Sequence, residues 1–413
     1  MTAVSFRARA AAAAAHPRVR AAFRIFAERA AEIESDQIRL TLVSAPPFHE
    51  AERARHFAAV FRSAGFAPLF DAIGNVIIPY DDSGATPLIV GAHLDTVFPA
   101  DTNLDLRRTG RVLHLPGISD NGAGLVALLW LFRAAKEAGL RFRRPVWGVA
   151  NVGEEGKGNL RGIMHLFETT PWGPGACEFI AVDGAGIQRI TNKGVGSRRF
   201  RIQMSGPGGH SWTDFGSPNP IHAMSEAIAN FVRDRCAPEA SFNVGLIRGG
   251  IGVNSIPTEA TIDVDLRSVS LASIEGLHVR LARAMRESAS LAGLQLQIES
   301  IGERPLGQTP EQSDLVQAAL ETTRMLGVNA QLNTASTDAN LPMSLGVPAI
   351  AIGGGGTGGG AHTPEEWFDP TGRELGLQRL LALVAMQAGV KARGLLVLYN
   401  PPPRPSENKI PLR

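Results

Sequence analysis

The side chains in this sequence that could bind a divalent metal or move a proton gather at the ends of apolar runs. The run LIVGA at 88–92 stops at His93-Leu94-Asp95. On extended backbone, residues two apart point the same way, so the Asp95 carboxylate can support the His93 imidazole. A carboxylate behind a histidine is the usual support of a metal ligand. The runs 145–152 and 179–182 end in Glu154-Glu155 and in Asp183, and 347–352 leads through a glycine-rich stretch to His362. Asp120 stands in PGISDNGAG, at 116–124.

Each of these residues alone has an ordinary use. A histidine on a strand is more often packed than ligating, an Asp beside glycines makes turns and caps helices, and a Glu pair is usually just solvated. Their shared placement at strand ends makes His93, Asp95, Asp120, Glu154, Glu155, Asp183 and His362 a candidate metal set. Two metals sharing a carboxylate need about five protein ligands, and hard carboxylates with imidazoles suit zinc, cobalt or manganese. Adjacent Glu154 and Glu155 project differently, so one can bind metal while the other stays free as a base. Two such metals polarise a carbonyl and acidify the water between them.

The elements that must position these groups follow from periodicity. Helical spacing predicts helices at 19–35, 50–64 and 125–138, the last closed by Gly139. Strands are expected at 74–78, 88–95, 145–152 and 179–182, with a hairpin at 101–115. Strands alternating with helices argue for an α/β sheet, whose sites lie outside the carboxyl ends of its strands. From 198 to 301 the order becomes strand (198–204), helix (219–234), strands (242–246, 260–266), helix (271–291), strand (294–301), a ferredoxin-like α+β unit. A helix at 314–326, the strand 347–352 and a helix at 374–389 return to the first unit, and the Pro-rich tail 401–413 is expected to be loosely held. The expectation is a mixed, mostly parallel catalytic domain at 1–193 and 306–413, with an inserted domain at 194–305.

Composition narrows the function. A chain of 413 residues with 44% hydrophobic and 19% charged residues calls for two globular domains. A net charge of +2 gives no reason to expect nucleic acid. Only Cys177 and Cys236 occur, which removes a disulfide framework and a thiolate metal site. The first 27 residues are rich in Ala and Arg and lack acidic groups, a superficial likeness to a transit peptide that the Ala-rich, Arg-dominated composition of a bacterial-type sequence explains better. The run 10–15 is too short and weakly apolar for a secretory or membrane segment. The chain is read as cytoplasmic, without a membrane partner.

The blocks HLDTV, GISDNGAG, GEEGKGN, VDG, GPGGHSW, GGIGVNSIP, DLRS and GGGAHTPEEW occur in this order along the chain. Together they resemble the dinuclear zinc metallopeptidase family that includes peptidase T, glutamate-releasing carboxypeptidases and aminoacylase. The resemblance implies that His93 and Asp183 hold one metal, Glu155 and His362 the other, and that Asp120 bridges them. It implies Asp95 as the support of His93, and Glu154 as general base and proton shuttle. It also implies that the inserted domain dimerises, and that His210 reaches a neighbouring subunit's site to polarise the scissile carbonyl. Asn254 and Arg267 resemble the family's contacts to a substrate carboxylate. Taken alone, His210 is a polar turn residue and Arg267 an exposed strand charge. Asp338, in STDAN, could support a ligand from behind or cap a helix and is read as the cap, and the remaining histidines as structural.

Where many relatives carry Lys after the bridging Asp, Asn121 follows here, and the position usually His in the amidohydrolase branch is Asp183. Both lean toward the peptidase T-like branch. The glycine run 353–360 ends in His362-Thr363-Pro364, where the proline resists a helix, so a dinucleotide fingerprint is set aside. The expected activity is amide hydrolysis in small peptides, as an exopeptidase on di- or tripeptides. The alternatives are hydrolysis of an N-acyl or N-carbamoyl amino acid, and a catalytically silent binding scaffold, against which the intact Glu154-Glu155 pair speaks.

Overall fold

Alternation along the apolar runs decides the layering. In the strand Leu88–His93, Leu88, Val90 and Ala92 pack into one apolar cluster and Ile89 into another, so the strand is buried on both faces. The same split places Ile180 and Val182 on one side of Glu178–Val182, with Phe179 and Ala181 on the other. The computed structural model describes residues 5–80 and 86–391, and the Pro-rich tail lies outside them.

The larger sheet has nine strands among the described residues. At its centre Val146–Asn151, Leu88–His93, Glu178–Val182 and Ala349–Ile352 run parallel in that order. The flanks are antiparallel: Val76–Pro79 beside Val146–Asn151, and Arg189–Gly194 beside Ala349–Ile352. The sheet is therefore mixed, with a parallel centre whose four strands end at one edge. The helices Gly122–Glu137 and Arg373–Ala388 cover one face together with the N-terminal helices, and Arg161–Thr169 covers the other.

Several elements differ from expectation, among them one helix and one strand. The helix anticipated at 19–35 is two helices, Pro17–Glu28 and Ala30–Thr41, broken at Arg29. No Gly or Pro marks that break, and both segments carry apolar residues at helical spacing, so periodicity joined them. The strand Gln331–Ala335, paired with Arg189–Gly194, was not anticipated, because it is only partly buried and lacks a clean alternation.

The expected hairpin forms from Arg107–Thr109 and Val112–His114. It extends into a small sheet with Trp367–Asp369 and Thr357–Gly359. This sheet carries the glycine run and the His362 loop to the edge where the parallel strands end. The inserted unit is a separate antiparallel sheet in the order Ala240–Gly249, Glu259–Ser268, Gly196–Ser205, Gln295–Arg304. The helices Pro220–Arg233 and Leu271–Leu291 share an apolar core with that sheet. Its connectivity is the ferredoxin-like pattern.

Candidate metal centre

His93 is the last residue of its strand and is buried. Its Nε2 lies 3.0 Å from Asp120 Oδ1 and 3.7 Å from Asp183 Oδ1. Its Nδ1 is held at 3.0 Å by the backbone carbonyl of Asp95. The Asp95 carboxylate also stands behind the ring, with Oδ1 3.7 Å from Nδ1. Its oxygens accept the N–H groups of Glu154 (3.0 Å) and Glu155 (2.7 Å) as well. Asp95 thus fixes the loop after the neighbouring strand, and its main chain orients the imidazole.

Asp120 divides its carboxylate between two imidazoles. Oδ1 faces His93, and Oδ2 lies 3.3 Å from Nε2 of His362, which also stands 3.0 Å from Glu155 Oε1. His93, Asp120 and Glu155 each offer a ligand atom, all within 4.8 Å of one another. The turn that carries Asp120 hangs on a residue the sequence reading overlooked. Buried Glu366 accepts the N–H groups of Gly117, Ser119 and Asp120, each at 2.8 Å. Burial pushes the Glu366 carboxyl up to about 7, against the pull of those N–H groups.

The electrostatics describe an acidic site seeking positive charge. Burial pulls the His93 imidazole down, yet the carboxylates of Asp120, Asp183 and Asp95 outweigh it and hold its pKa well above the usual histidine value. Hydrogen bonds to Asp120 and Glu155 push His362 up to about 10. Burial raises Asp120, but the two imidazoles outweigh it and hold it below the usual carboxylate range. Imidazoles gripped by carboxylates in this way keep protons where a divalent cation would bind instead. Two imidazoles with three carboxylates and no thiolate are a donor set that fits zinc, cobalt or manganese.

Glu154 is also buried, and its Oε1 accepts from Arg304 Nη1 at 2.8 Å. Burial raises its pKa well above the usual carboxylate value, against the opposing charge of Arg304. Arg304 and Arg199, which the sequence reading missed, line the same cavity of about 230 Å³, as does the anticipated Arg267. Nothing marks either residue in sequence, since Arg199 is one of three arginines on its strand and Arg304 is a charge at the end of one. Arg267 donates from Nε to Asp265 at 2.6 Å.

His210 and Asn254 are not among the residues lining this cavity. His210 lies in a short ribbon of Gly209–His210 and Ser255–Ile256 on the inserted unit, and Asn254, just before its second strand, accepts the N–H of Ser211 at 3.0 Å. His210 Nδ1 accepts from the N–H groups of Trp212 and Thr213, which leaves Nε2 as the protonated nitrogen of the neutral ring. The reading of Asp338 as a cap is corrected. The helix Asn340–Ser344 begins after Ala339, and Asp338 is buried with Oδ2 accepting from Asn151 at 2.8 Å. Thr337 and Asn340 make the local turn bonds instead.

Residues 89–386 match the peptidase family M20/M25/M40. The chain belongs to this family. Members of this peptidase family are metal-dependent hydrolases of amide bonds, in keeping with the donor set at His93, Asp120 and Glu155. Similar curated proteins include the N-carbamoyl-L-amino-acid amidohydrolase of Paenarthrobacter aurescens, 25% identical, with 80% of this chain and 89% of that protein covered. The acetylornithine deacetylase of Klebsiella pneumoniae is 25% identical, with 69% and 76% covered. Among solved structures, a tripeptidase from Staphylococcus aureus has a TM-score of 0.72 at 19% identity, covering 86% of this chain and 98% of its own. The di-peptidase Dug1p from Saccharomyces cerevisiae has a TM-score of 0.72 at 13% identity, covering 90% and 99%. At these identities the solved structures establish the peptidase fold and nothing finer.

Proposed function

We propose that this enzyme uses two divalent cations, zinc in the first instance and cobalt or manganese as substitutes, to hydrolyse an amide bond in a small peptide. In this reading it is an exopeptidase for di- or tripeptides. The observation that carries it is the Asp120 carboxylate, which turns one oxygen to His93 and the other to His362. A carboxylate facing two imidazoles in this way suits a bridge between two metals. His93 with Asp183 would hold one cation, and Glu155 with His362 the other. When bound, the pair supplies Lewis acidity to the scissile carbonyl and to the attacking water.

The chain's own residues do the rest. Glu154, buried at the cavity wall, takes the proton of the attacking water and returns it to the leaving amine. Arg267 and Asn254 hold the substrate carboxylate. His210, whose Nε2–H is available to donate, stabilises the oxyanion from a second subunit. A cavity of about 230 Å³ suits a substrate of a few residues or an acylated amino acid.

The dimer is part of the proposal, with 1–193 and 306–413 as the catalytic domain and 194–305 as the dimerising one. Its support is a collar of exposed apolar residues beside His210 and Asn254: Trp212, Phe215, Ile251 and Val253, 85% to 103% exposed. Such a patch is expected to be covered by a partner. Two free cysteines, Cys177 and Cys236, suit the reducing cytoplasm as the place of reaction.

A second reading, hydrolysis of an N-carbamoyl or N-acyl amino acid, draws support from the amidohydrolase and deacetylase among the similar proteins. A silent binding scaffold has less support, since it has no use for a base buried beside the donor set. The test is a mass-spectrometric screen of di- and tripeptides and of N-acyl and N-carbamoyl amino acids against zinc- or cobalt-loaded protein. Release of a free amino acid is expected, and Glu154→Gln should keep both metals while losing about a hundredfold or more in turnover. No hydrolysis of any compound by metal-loaded protein sinks the enzyme reading, and a fully active Glu154→Gln sinks the role of Glu154.

A further inference from the structure

The inserted sheet joins the catalytic sheet through a neck of two neighbouring strands. Gly196–Ser205 continues almost directly from Arg189–Gly194, and Gln295–Arg304 returns through Pro305 and Leu306 to Gly307–Gln308. The strands pair on both sides of the junction: Ser197 with Arg304 in the inserted sheet, Gly194 with Gly307 in the catalytic one. Fully buried Asn340 pins the neck, its Nδ2 donating to the carbonyls of Val195 (2.8 Å) and Pro305 (2.9 Å). The packing there leaves no slack, since a Cβ on Gly307 would stand 2.5 Å from the backbone nitrogen of Ser344.

Just past this pivot, two arginines reach from the inserted strands to one catalytic loop. Arg304 donates from Nη1 to the Glu154 carboxylate at 2.8 Å and from Nη2 to the Glu154 carbonyl. Arg199 donates from Nη1 to the Gly156 carbonyl at 2.7 Å. Glu155 lies between the two gripped residues, and Asp95 holds its N–H. Farther along the loop, a Cβ on Gly302, the partner of Arg199 in the sheet, would stand 3.2 Å from Asn159 Oδ1. The Arg304–Glu154 pair is 6% exposed on each side, and charge-assisted bonds so shielded are strong. The rigid fork of a guanidinium fixes the direction of both acceptors, which an ammonium cannot do.

We propose that Arg199 and Arg304 form a clamp through which the inserted unit positions the loop 154–156, so that the posture of that unit sets where the Glu154 carboxylate stands. The proposal rests on the reading of Glu154 as the base. Displacing the inserted unit about Asn340 carries both guanidinia with it. Arg304 holds the side chain and main chain of one residue, so the loop must follow or leave a buried carboxylate unpaired. Both arginines are positioning residues. A tie that merely fastened the two units would affect stability throughout and would not act selectively on turnover.

The test uses the full-length, zinc-loaded protein and the variants Arg199→Met, Arg199→Lys and Arg304→Lys, which keep either a partner charge or a matching volume. Amide exchange over 153–160, zinc content, kcat and KM are read together. In Arg199→Met and Arg304→Lys, exchange over 153–160 should rise about tenfold while the strand at 88–93 keeps its protection. Zinc content should hold, and Arg304→Lys should lose about tenfold or more in kcat with KM within about threefold. Arg199→Lys should recover most of the protection lost in Arg199→Met. Unchanged exchange in both variants overturns the clamp, as does faster exchange with unaltered kcat, or deprotection spread across the whole catalytic sheet. If the wild type hydrolyses nothing, the functional reading falls separately, and exchange over 153–160 still decides whether the two arginines hold the loop.

Discussion

At Asp120 a single carboxylate meets two imidazoles, and the carboxyl of Glu366 holds the turn on which it stands. That carboxyl accepts three N–H groups, so an amide in its place turns a donor toward donors. Glu366→Gln is expected to weaken zinc binding by about tenfold to a hundredfold, the usual effect of disturbing what supports a ligand. Competition with a chelator measures this, and an unchanged zinc affinity would show that the turn keeps its place without Glu366. The contrast between Asp120 and Glu366 shows what sequence can and cannot reveal. His93, Asp120, Glu155 and His362 could be found because their types are those a metal needs and each follows a recognisable break in an apolar run. Glu366 and Arg304 could not, because their partners are backbone groups up to 249 residues away and a carboxylate 150 residues away in the chain.

At the scale of elements, the site exists because four parallel strands end together and one helix starts hard against them. Gly124 makes that approach possible, since a Cβ there would stand 2.1 Å from Asn121 Oδ1 and 2.2 Å from the Val182 carbonyl. Asn121 bridges the same gap, donating to Val182 and accepting from Gly124 and Gly184. Gly124→Ala should therefore cost about 3 kcal/mol, the upper range for overpacking. Gly276→Ala, in the inserted helix with open space around it, should instead stabilise by about 0.5–1 kcal/mol. Urea unfolding of the two variants decides, and equal effects would refute this account of Gly124. The central strands were legible because burial on both faces leaves continuous apolar runs. Gln331–Ala335 was not, because a partly exposed edge strand is set by its partner rather than by its own residues.

For the whole molecule, the cavity and the ribbon bearing His210, with Asn254 beside it, are separate places on one chain. If a second subunit unites them, chains carrying Glu154→Gln and chains carrying His210→Ala, each inactive alone, should recover activity on mixing. Random pairing leaves one intact site in four, so about a quarter of wild-type activity is expected. No recovery despite demonstrated subunit exchange would place the complete site within one chain. The strand order of the catalytic sheet also dictates an order of assembly during synthesis. The strand Ala349–Ile352 lies between Glu178–Val182 and Arg189–Gly194, although the whole inserted sheet is made before it. A nascent chain thus carries a gap in the middle of its catalytic sheet until residue 352 emerges, with unpaired strand edges on either side. The later-starting unit can close first, and the catalytic unit must stay open around it.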